Sequence, residues 1–287
     1  LIAAWGAKEG RGAISLWRPD EKGTWTEQGT LAASDGAPND FFGSAMAVVG
    51  DLLVVGAAQR DSAKGAVYLF RRDPSGQWKE EARLEAAGAT RFARFGAGVA
   101  IDDGALLVGA PGLDGGRGAV LRFAKAAGTW AETHRFGPFD GARQAQFGST
   151  IGLIGREIWI GAPGADTRGR IYRIVRADDG TFGSVTKLGQ GETEEGDQFG
   201  TAFAVAGEAA VVGAPGDDYG AGTAFILNRG TGGWGKGVKV LTEPKTIAAM
   251  TGSKRECGGA KTVGVFGCDG VDLLAYLPIQ SIGGGRA

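Results

Sequence analysis

FGTAFAVAGEAAVVGAPG, residues 199–216, decides the fold because it is one of four copies that stay in register along the chain. Phe199-Gly200 has counterparts at Phe42-Gly43, Phe95-Gly96 and Phe147-Gly148. In every copy the Gly of the next Gly-Ala pair lies 14 residues after the Phe, at Gly56, Gly109, Gly161 and Gly213. Another Gly follows 8 or 9 residues later (Gly65, Gly118, Gly169, Gly222) and opens an apolar run. An aromatic comes 12 or 13 residues after that, at Trp78, Trp130, Phe182 and Trp234. The next Phe lies 17 residues beyond each of the first three aromatics, so the period is 53, 52 and 52. The single-residue variations fall in Gly/Asp-rich connections, where a turn absorbs them. Gly12 and Trp25 extend the series backwards, so residues 1–41 read as the last three-quarters of a repeat lacking its first strand.

Each unit reads as four short strands. The first alternates small and larger apolar residues, as in residues 45–49 and 201–205. The second is a short β-branched run such as residues 52–55 or 210–212, the pattern of a strand buried on both faces. Pro111, Pro163 and Pro215 follow it; lacking an N–H, they stop the ladder. The Gly after each Pro suits a turn with positive φ. A third apolar strand and a fourth running from the aromatic to Leu31, Leu84 or Leu188 complete the unit. Four antiparallel strands every ~50 residues is the size of a propeller blade, and no long 3.6-residue period points to helical repeats. The expected fold is an all-β propeller with four complete repeats and one partial one.

Composition agrees. Gly makes up 54 of 287 residues, about 19% against a usual ~7%, without the G-X-Y period of collagen. Lys and Arg total 31 against 32 Asp and Glu, so no basic face for nucleic acid is implied. No run of roughly 18 apolar residues would span a membrane. LIAAWGAKEG at residues 1–10 lacks the regions of a signal peptide; the leader of an exported chain would have been removed or lie outside this sequence.

The block SDGAPNDFFGSAMAVVGDLLVVGA, with the GAVYLF and GQW that follow, resembles the FG-GAP repeat, the blade of integrin-type propellers, most closely its bacterial extracellular variety. The resemblance covers residues 1–242. It implies a ring usually of seven blades, about 364 residues at this period, where the present chain has room for five. Residues 243–287 leave the period. There residues 262–266 read as one strand, able to supply the missing first strand of the opening blade, and residues 271–277 as a helical turn. CDGVDLLAYLPIQSIGGG also resembles a segment of bacterial choice-of-anchor B surface proteins.

Candidate chemistry is sparse. Integrin-type blades often hold calcium in a DxDxDG loop, whose alternating carboxylates converge on one ion. The loops here read QRDSAKG, PGLDGGRG, PGADTRG and PGDDYGAG, none with the triad. Asp61, Asp114 and Asp166 are single acids beside Lys64, Arg117 and Arg168, and read as turn formers. Asp217 and Asp218 form the one doubled pair and are the calcium candidates. Asp40 and Asp197, two residues before their Phe-Gly, are expected to accept backbone N–H bonds. His134 is the only His, no GxSxG or phosphate loop occurs, and no catalytic residue or other cofactor is expected. Cys257 and Cys268 suit a local disulfide in an oxidising compartment. The recurring aromatics read as packing between outer strands, and Trp159 as core. The expected function is an extracellular or cell-surface scaffold that recognises protein or polysaccharide through rim loops. A structural subunit of a surface layer or filament, and a propeller hydrolase or lyase, are the alternatives.

Overall fold

The structure is a computed structural model, described over residues 1–177, 182–189 and 193–240, with backbone only at 262–263 and 266–267. It divides into two compact units, Leu1–Val240 and Leu241–Ala287. The first is a β-propeller of five blades. Blade 1 has three strands: β1 (Ile2–Ala4), β2 (Ala13–Pro19) and β3 (Trp25–Leu31). Blade 2 comprises β4 (Phe42–Val49), β5 (Leu52–Ala57), β6 (Ala66–Arg72) and β7 (Trp78–Leu84). Blade 3 comprises β8 (Val99–Asp102), β9 (Ala105–Ala110), β10 (Ala119–Ala126) and β11 (Thr129–Phe136). Blade 4 comprises β12 (Thr150–Ile154), β13 (Glu157–Ala162), β14 (Arg170–Arg176) and β15 (Phe182–Leu188). Blade 5 comprises β16 (Ala202–Ala206), β17 (Ala209–Ala214) and β18 (Thr223–Gly230), with its outer strand broken into β19 (Gly233–Trp234) and β20 (Val238–Val240). Gly235 and Gly237 lie in the break.

Every pairing within a blade is antiparallel and sequential, so each blade is a meander joined by short turns. The first strands of blades 2 to 5 lie side by side, β4 by β8, β8 by β12 and β12 by β16, and β4 also lies against β1, the second-strand counterpart of blade 1, which has no first strand. That crowding explains their small residues. The second strands β5, β9 and β13 are buried along their whole length, as continuous apolar runs predict. Four separate cores fill the junctions between neighbouring blades. Ile14, Phe42, Leu53, Val55 and Tyr68 lie between blades 1 and 2, and the equivalent set recurs at each later junction. Trp78, Trp130, Phe182 and Trp234 each pack against the core of the junction with the preceding blade. Trp159 is fully buried.

Two sequence expectations need correction. The Gly after each Pro does not sit at positive φ; Gly112 and Gly164 have φ −92°. Gly is required there for space, since a Cβ at Gly112 would lie 1.7 Å from the Phe92 carbonyl oxygen and one at Gly164 2.1 Å from that of Gln144. In the second unit, residues 262–266 do not form one strand. β21 (Thr262–Val263) pairs antiparallel with β22 (Phe266–Gly267) instead. Cys257, Cys268 and the helical turn expected at residues 271–277 lie outside the described residues.

Candidate functional site

The Phe-Gly pair joins each blade to the one before it. Phe42, Phe95, Phe147 and Phe199 are fully buried and make edge-on ring contacts with an aromatic of their own third strand, such as Phe147 with Tyr172 at 5.2 Å and Phe199 with Phe225 at 5.4 Å. The backbone around the Phe meanwhile rests on two glycines of the preceding blade. A Cβ at Gly56 would lie 2.0 Å from the Gly96 oxygen, and one at Gly65 2.1 Å from the Phe95 oxygen. Gly109 and Gly118 stand in the same relation to Gly148 and Phe147, at 1.9 and 2.3 Å. No side chain fits in such a gap, so the spacing of these glycines follows from blade-to-blade contact.

The segment leading into each Phe donates two or three further backbone bonds to the preceding blade. The amides of Arg94 and Phe95, for example, donate to the carbonyls of Ala63 and Lys64 at 2.8 and 3.0 Å. This geometry places non-glycine residues at positive φ one and three positions before the Phe: Phe41 and Asn39, Arg94 and Phe92, Gln146 and Gln144, and Gln198. Each left-handed residue costs about 1–2 kcal/mol, tolerated because the junction holds the backbone on both sides. The residue between is buried, as Asp40, Ala93, Ala145 and Asp197 all are, while Asn39, Phe92, Arg94, Gln144, Gln146 and Gln198 are exposed.

One rim of the propeller therefore displays a row of side chains on rigid backbone. Trp5, 53% exposed, lies against Phe41 with ring centroids 5.0 Å apart. Phe92 is 60% exposed, with the Arg91 guanidinium 5.3 Å from its ring centre. Between blades 3 and 4, Arg91, Phe92, Arg94, Gln144 and Gln146 line a cleft of about 420 Å³. Side-chain clamps hold the loops beneath. The Tyr68 hydroxyl donates to Asp35 at 2.6 Å, and Arg60 bridges Asp35 and Asp40 at 2.8 and 2.7 Å. In blade 4 the Tyr172 hydroxyl donates to Asp140 at 2.9 Å, and Lys187 pairs with the same carboxylate. Burial first and the neighbouring carboxylate second push both tyrosine pKa values up.

The FG-GAP repeat family profile matches residues 25–70, 78–121 and 182–227. The chain carries FG-GAP repeats. Each match begins at an outer aromatic (Trp25, Trp78, Phe182) and ends in the third strand of the next blade, so the repeat unit spans a junction rather than a blade. Among solved structures, a protein from Lactobacillus plantarum superposes with TM-score 0.55 at 15% identity, over 81% of this chain and 66% of that one. A protein from Bacteroides uniformis, provisionally named a 6-phosphogluconolactonase, superposes with TM-score 0.54 at 18% identity, over 81% of this chain and 64% of that one. The chain thus spans just under two thirds of their length, and identity this low shows the shared fold alone. No curated protein matches the chain.

The FG-GAP loops after each Gly-Ala pair are tight turns, with Asp61, Asp114 and Asp166 at φ near +50°. Asp61 pairs with Lys64 at 2.8 Å. Asp217, the first calcium candidate, is 1% exposed and pairs with Lys239 at 2.7 Å; the side chain of Asp218 lies outside the described residues. Among the described residues no three acidic, His or Cys side chains converge as metal ligands would. Asp40 and Asp197 each accept a backbone N–H three residues upstream, from Ala37 at 2.8 Å and Glu194 at 2.5 Å, as their position predicts. His134 is exposed on an outer strand, against Phe136 and Phe182.

Sequence reasoning missed a set of polar clasps at the outer edge of the junctions. Seven residues after the third-strand Gly stands a cation in blades 2 to 5: Arg72, Lys125, Arg176 and Arg229. The last three reach a carboxylate of the preceding blade. Lys125 and the Trp130 indole N–H meet Glu81, Arg176 meets the buried Asp102 at 2.8 Å, and Arg229 with the Trp234 indole N–H meets Glu157. The cation recurs at fixed spacing and was readable in the sequence. Its carboxylates come from different strands and share no position.

Proposed function

We propose that this FG-GAP propeller is an extracellular or cell-surface binding scaffold that recognises a polysaccharide through the rim carrying Trp5, Phe41, Phe92, Arg94, Gln144 and Gln146. The observation behind this reading is the pairing of exposed side chains with a fixed, left-handed backbone on one rim. Flat aromatic faces suit the apolar faces of sugar rings, and amide and guanidinium groups suit their hydroxyls. A rim already rigid before binding loses little conformational entropy when a ligand docks. In affinity electrophoresis through gels cast with bacterial exopolysaccharides, the protein should be retarded by at least one polymer. Trp5→Ala and Phe92→Ala should each relieve that retardation while leaving the melting temperature unchanged. Retardation undiminished in both variants would remove the rim from the proposal.

The Bacteroides protein's provisional name motivates one check for an enzyme: the chain should show no turnover of a phosphorylated sugar lactone. Export is part of the same proposal. Non-reducing peptide mapping should find Cys257 joined to Cys268, and two free thiols would remove that support.

A further inference from the structure

The cleft of about 420 Å³ between blades 3 and 4 carries positive charge without a counter-ion. Arg91 and Arg94 line it with Phe92, Gln144 and Gln146, and among the described residues no acid does. Arg117 and Arg143 adjoin the lining, Arg117 directly after Gly116 and Arg143 directly before Gln144. All four arginines are exposed, and among the described residues none of their guanidinium groups makes an ion pair or hydrogen bond. Yet the chain as a whole is close to neutral, with 31 Lys and Arg against 32 Asp and Glu.

The repeat supplies its own comparison. The residue before the third-strand Gly is a cation in four of the five copies: Arg11, Lys64, Arg117 and Arg168. Arg11 donates to the Gly36 carbonyl at 2.7 Å, Lys64 pairs with Asp61 at 2.8 Å, and Arg168 donates to the Thr193 carbonyl at 3.0 Å. Arg117 stands three residues after Asp114, the spacing of the Lys64–Asp61 pair, but no such pair forms among the described residues. Asp114 is exposed, and its charge favours the protonated Arg135 of β11. The cleft side chains also start from backbone fixed at positive φ, +67° at Phe92, +55° at Arg94, +48° at Gln144 and +53° at Gln146. Arg91 stacks its guanidinium 5.3 Å from the Phe92 ring centre, which leaves its in-plane N–H donors available.

We propose that this cleft binds the carboxylate or sulfate groups of an acidic polysaccharide, with Arg91 and Arg94 as the contacts to the oxyanion. The inference rests on the rim reading above and narrows its ligand to the anionic class. A guanidinium presents paired N–H donors that match two oxygens of a carboxylate or sulfate. Four neighbouring positive charges raise the local potential that attracts such a group. Phe92 offers a flat apolar face to the sugar ring, and the Gln144 and Gln146 amides suit its hydroxyls. A neutral polymer would gain nothing from the charge of the arginines.

Biolayer interferometry of the full 287-residue protein on four immobilised polymers tests this: polygalacturonate and its methyl ester, dextran sulfate and dextran. The first pair isolates a carboxylate and the second a sulfate. At least one charged polymer should bind about tenfold or more tightly than its uncharged partner, and added salt should weaken that binding. Arg91→Gln combined with Arg94→Gln should weaken it about tenfold or more. The fold should survive, since Gln146 and Gln198 already occupy the place of Arg94 in other blades at the same positive φ. Arg18→Gln combined with Lys22→Gln removes the same charge from blade 1 and should leave binding within about twofold. Equal loss in both double variants, equal binding of charged and uncharged polymers, or tighter binding of a single-stranded oligothymidylate would each overturn the inference. Binding to a neutral polymer that Phe92→Ala abolishes would uphold the rim reading while overturning this one. No binding to any of the four overturns this inference, and the exopolysaccharide gels then decide the rim by themselves.

Discussion

Replacing Glu157 by Gln keeps the shape of a buried side chain while removing the charge that four donors share. Oε1 accepts from Arg173 at 2.5 Å and Arg229 at 2.9 Å; Oε2 accepts from the indoles of Trp159 and Trp234, each at 3.0 Å. The side chain is only 4% exposed. Burial by itself would raise its pKa, but the hydrogen bonds, led by that from Arg173, outweigh burial and hold it at about 2, against an ordinary 4.5. A lowering of that size at about 1.4 kcal/mol per pH unit amounts to about 3 kcal/mol of stability. Since the folded pKa lies below the unfolded one, this contribution is complete above about pH 5 and is lost as pH falls through 4.5 towards 2. Gln also turns an N–H₂ group towards two N–H donors in either orientation, so the full cost at pH 7 is expected to be about 3–5 kcal/mol. Urea unfolding of both proteins between pH 7 and pH 2.5 measures it. The gap should be largest at neutral pH and mostly closed at pH 2.5. A gap below about 1 kcal/mol at pH 7, or one that does not change with pH, would refute the reasoning.

Three further outcomes are expected. Gly109→Ala, whose methyl would lie 1.9 Å from the Gly148 oxygen, should lower stability by about 3 kcal/mol or more, whereas Gly213→Ala should cost under about 1 kcal/mol in the same thermal melts. Trp78→Ala should destabilise by about 3 kcal/mol, while Trp25→Ala, at a position 61% exposed, should fall within about 0.5 kcal/mol of the parent protein. Asp197 has its pKa raised, first by burial and then by the neighbouring Asp217. A raised carboxylate pKa favours the folded state below the unfolded pKa, and that stability is lost as pH rises through the folded pKa. Asp197→Asn, which keeps an acceptor for the Glu194 amide, should therefore raise the melting temperature at pH 7, with the gain vanishing below about pH 4.

Periodicity made most of the fold legible. The 14-residue step from Phe to Gly and the 17-residue step from aromatic to Phe located the blades, because a meander of fixed strand length repeats its inward-facing residues at fixed intervals. The reason for the glycine after each Pro was misread. Sequence shows that a residue is small, but not whether dihedral freedom or a neighbouring carbonyl demands it. The rim was legible only in part. Asn39, Phe92, Arg94, Gln144 and Gln146 look like ordinary loop residues until the junction fixes their backbone at positive φ.

The repeat, the four-stranded blade and the placing of Phe199 and its counterparts at blade boundaries are all readable from residue spacing, because they depend on intervals along one chain. Which side chains pair across blades depends instead on how the folded blades meet. Glu157 draws its donors from Arg173 in its own blade and from Arg229 and Trp234 in the next, up to 77 residues away. Val211 is likewise no different in kind from Val54. Among the described residues no further blade packs on it, a condition set by assembly in three dimensions and by nothing local to the residue.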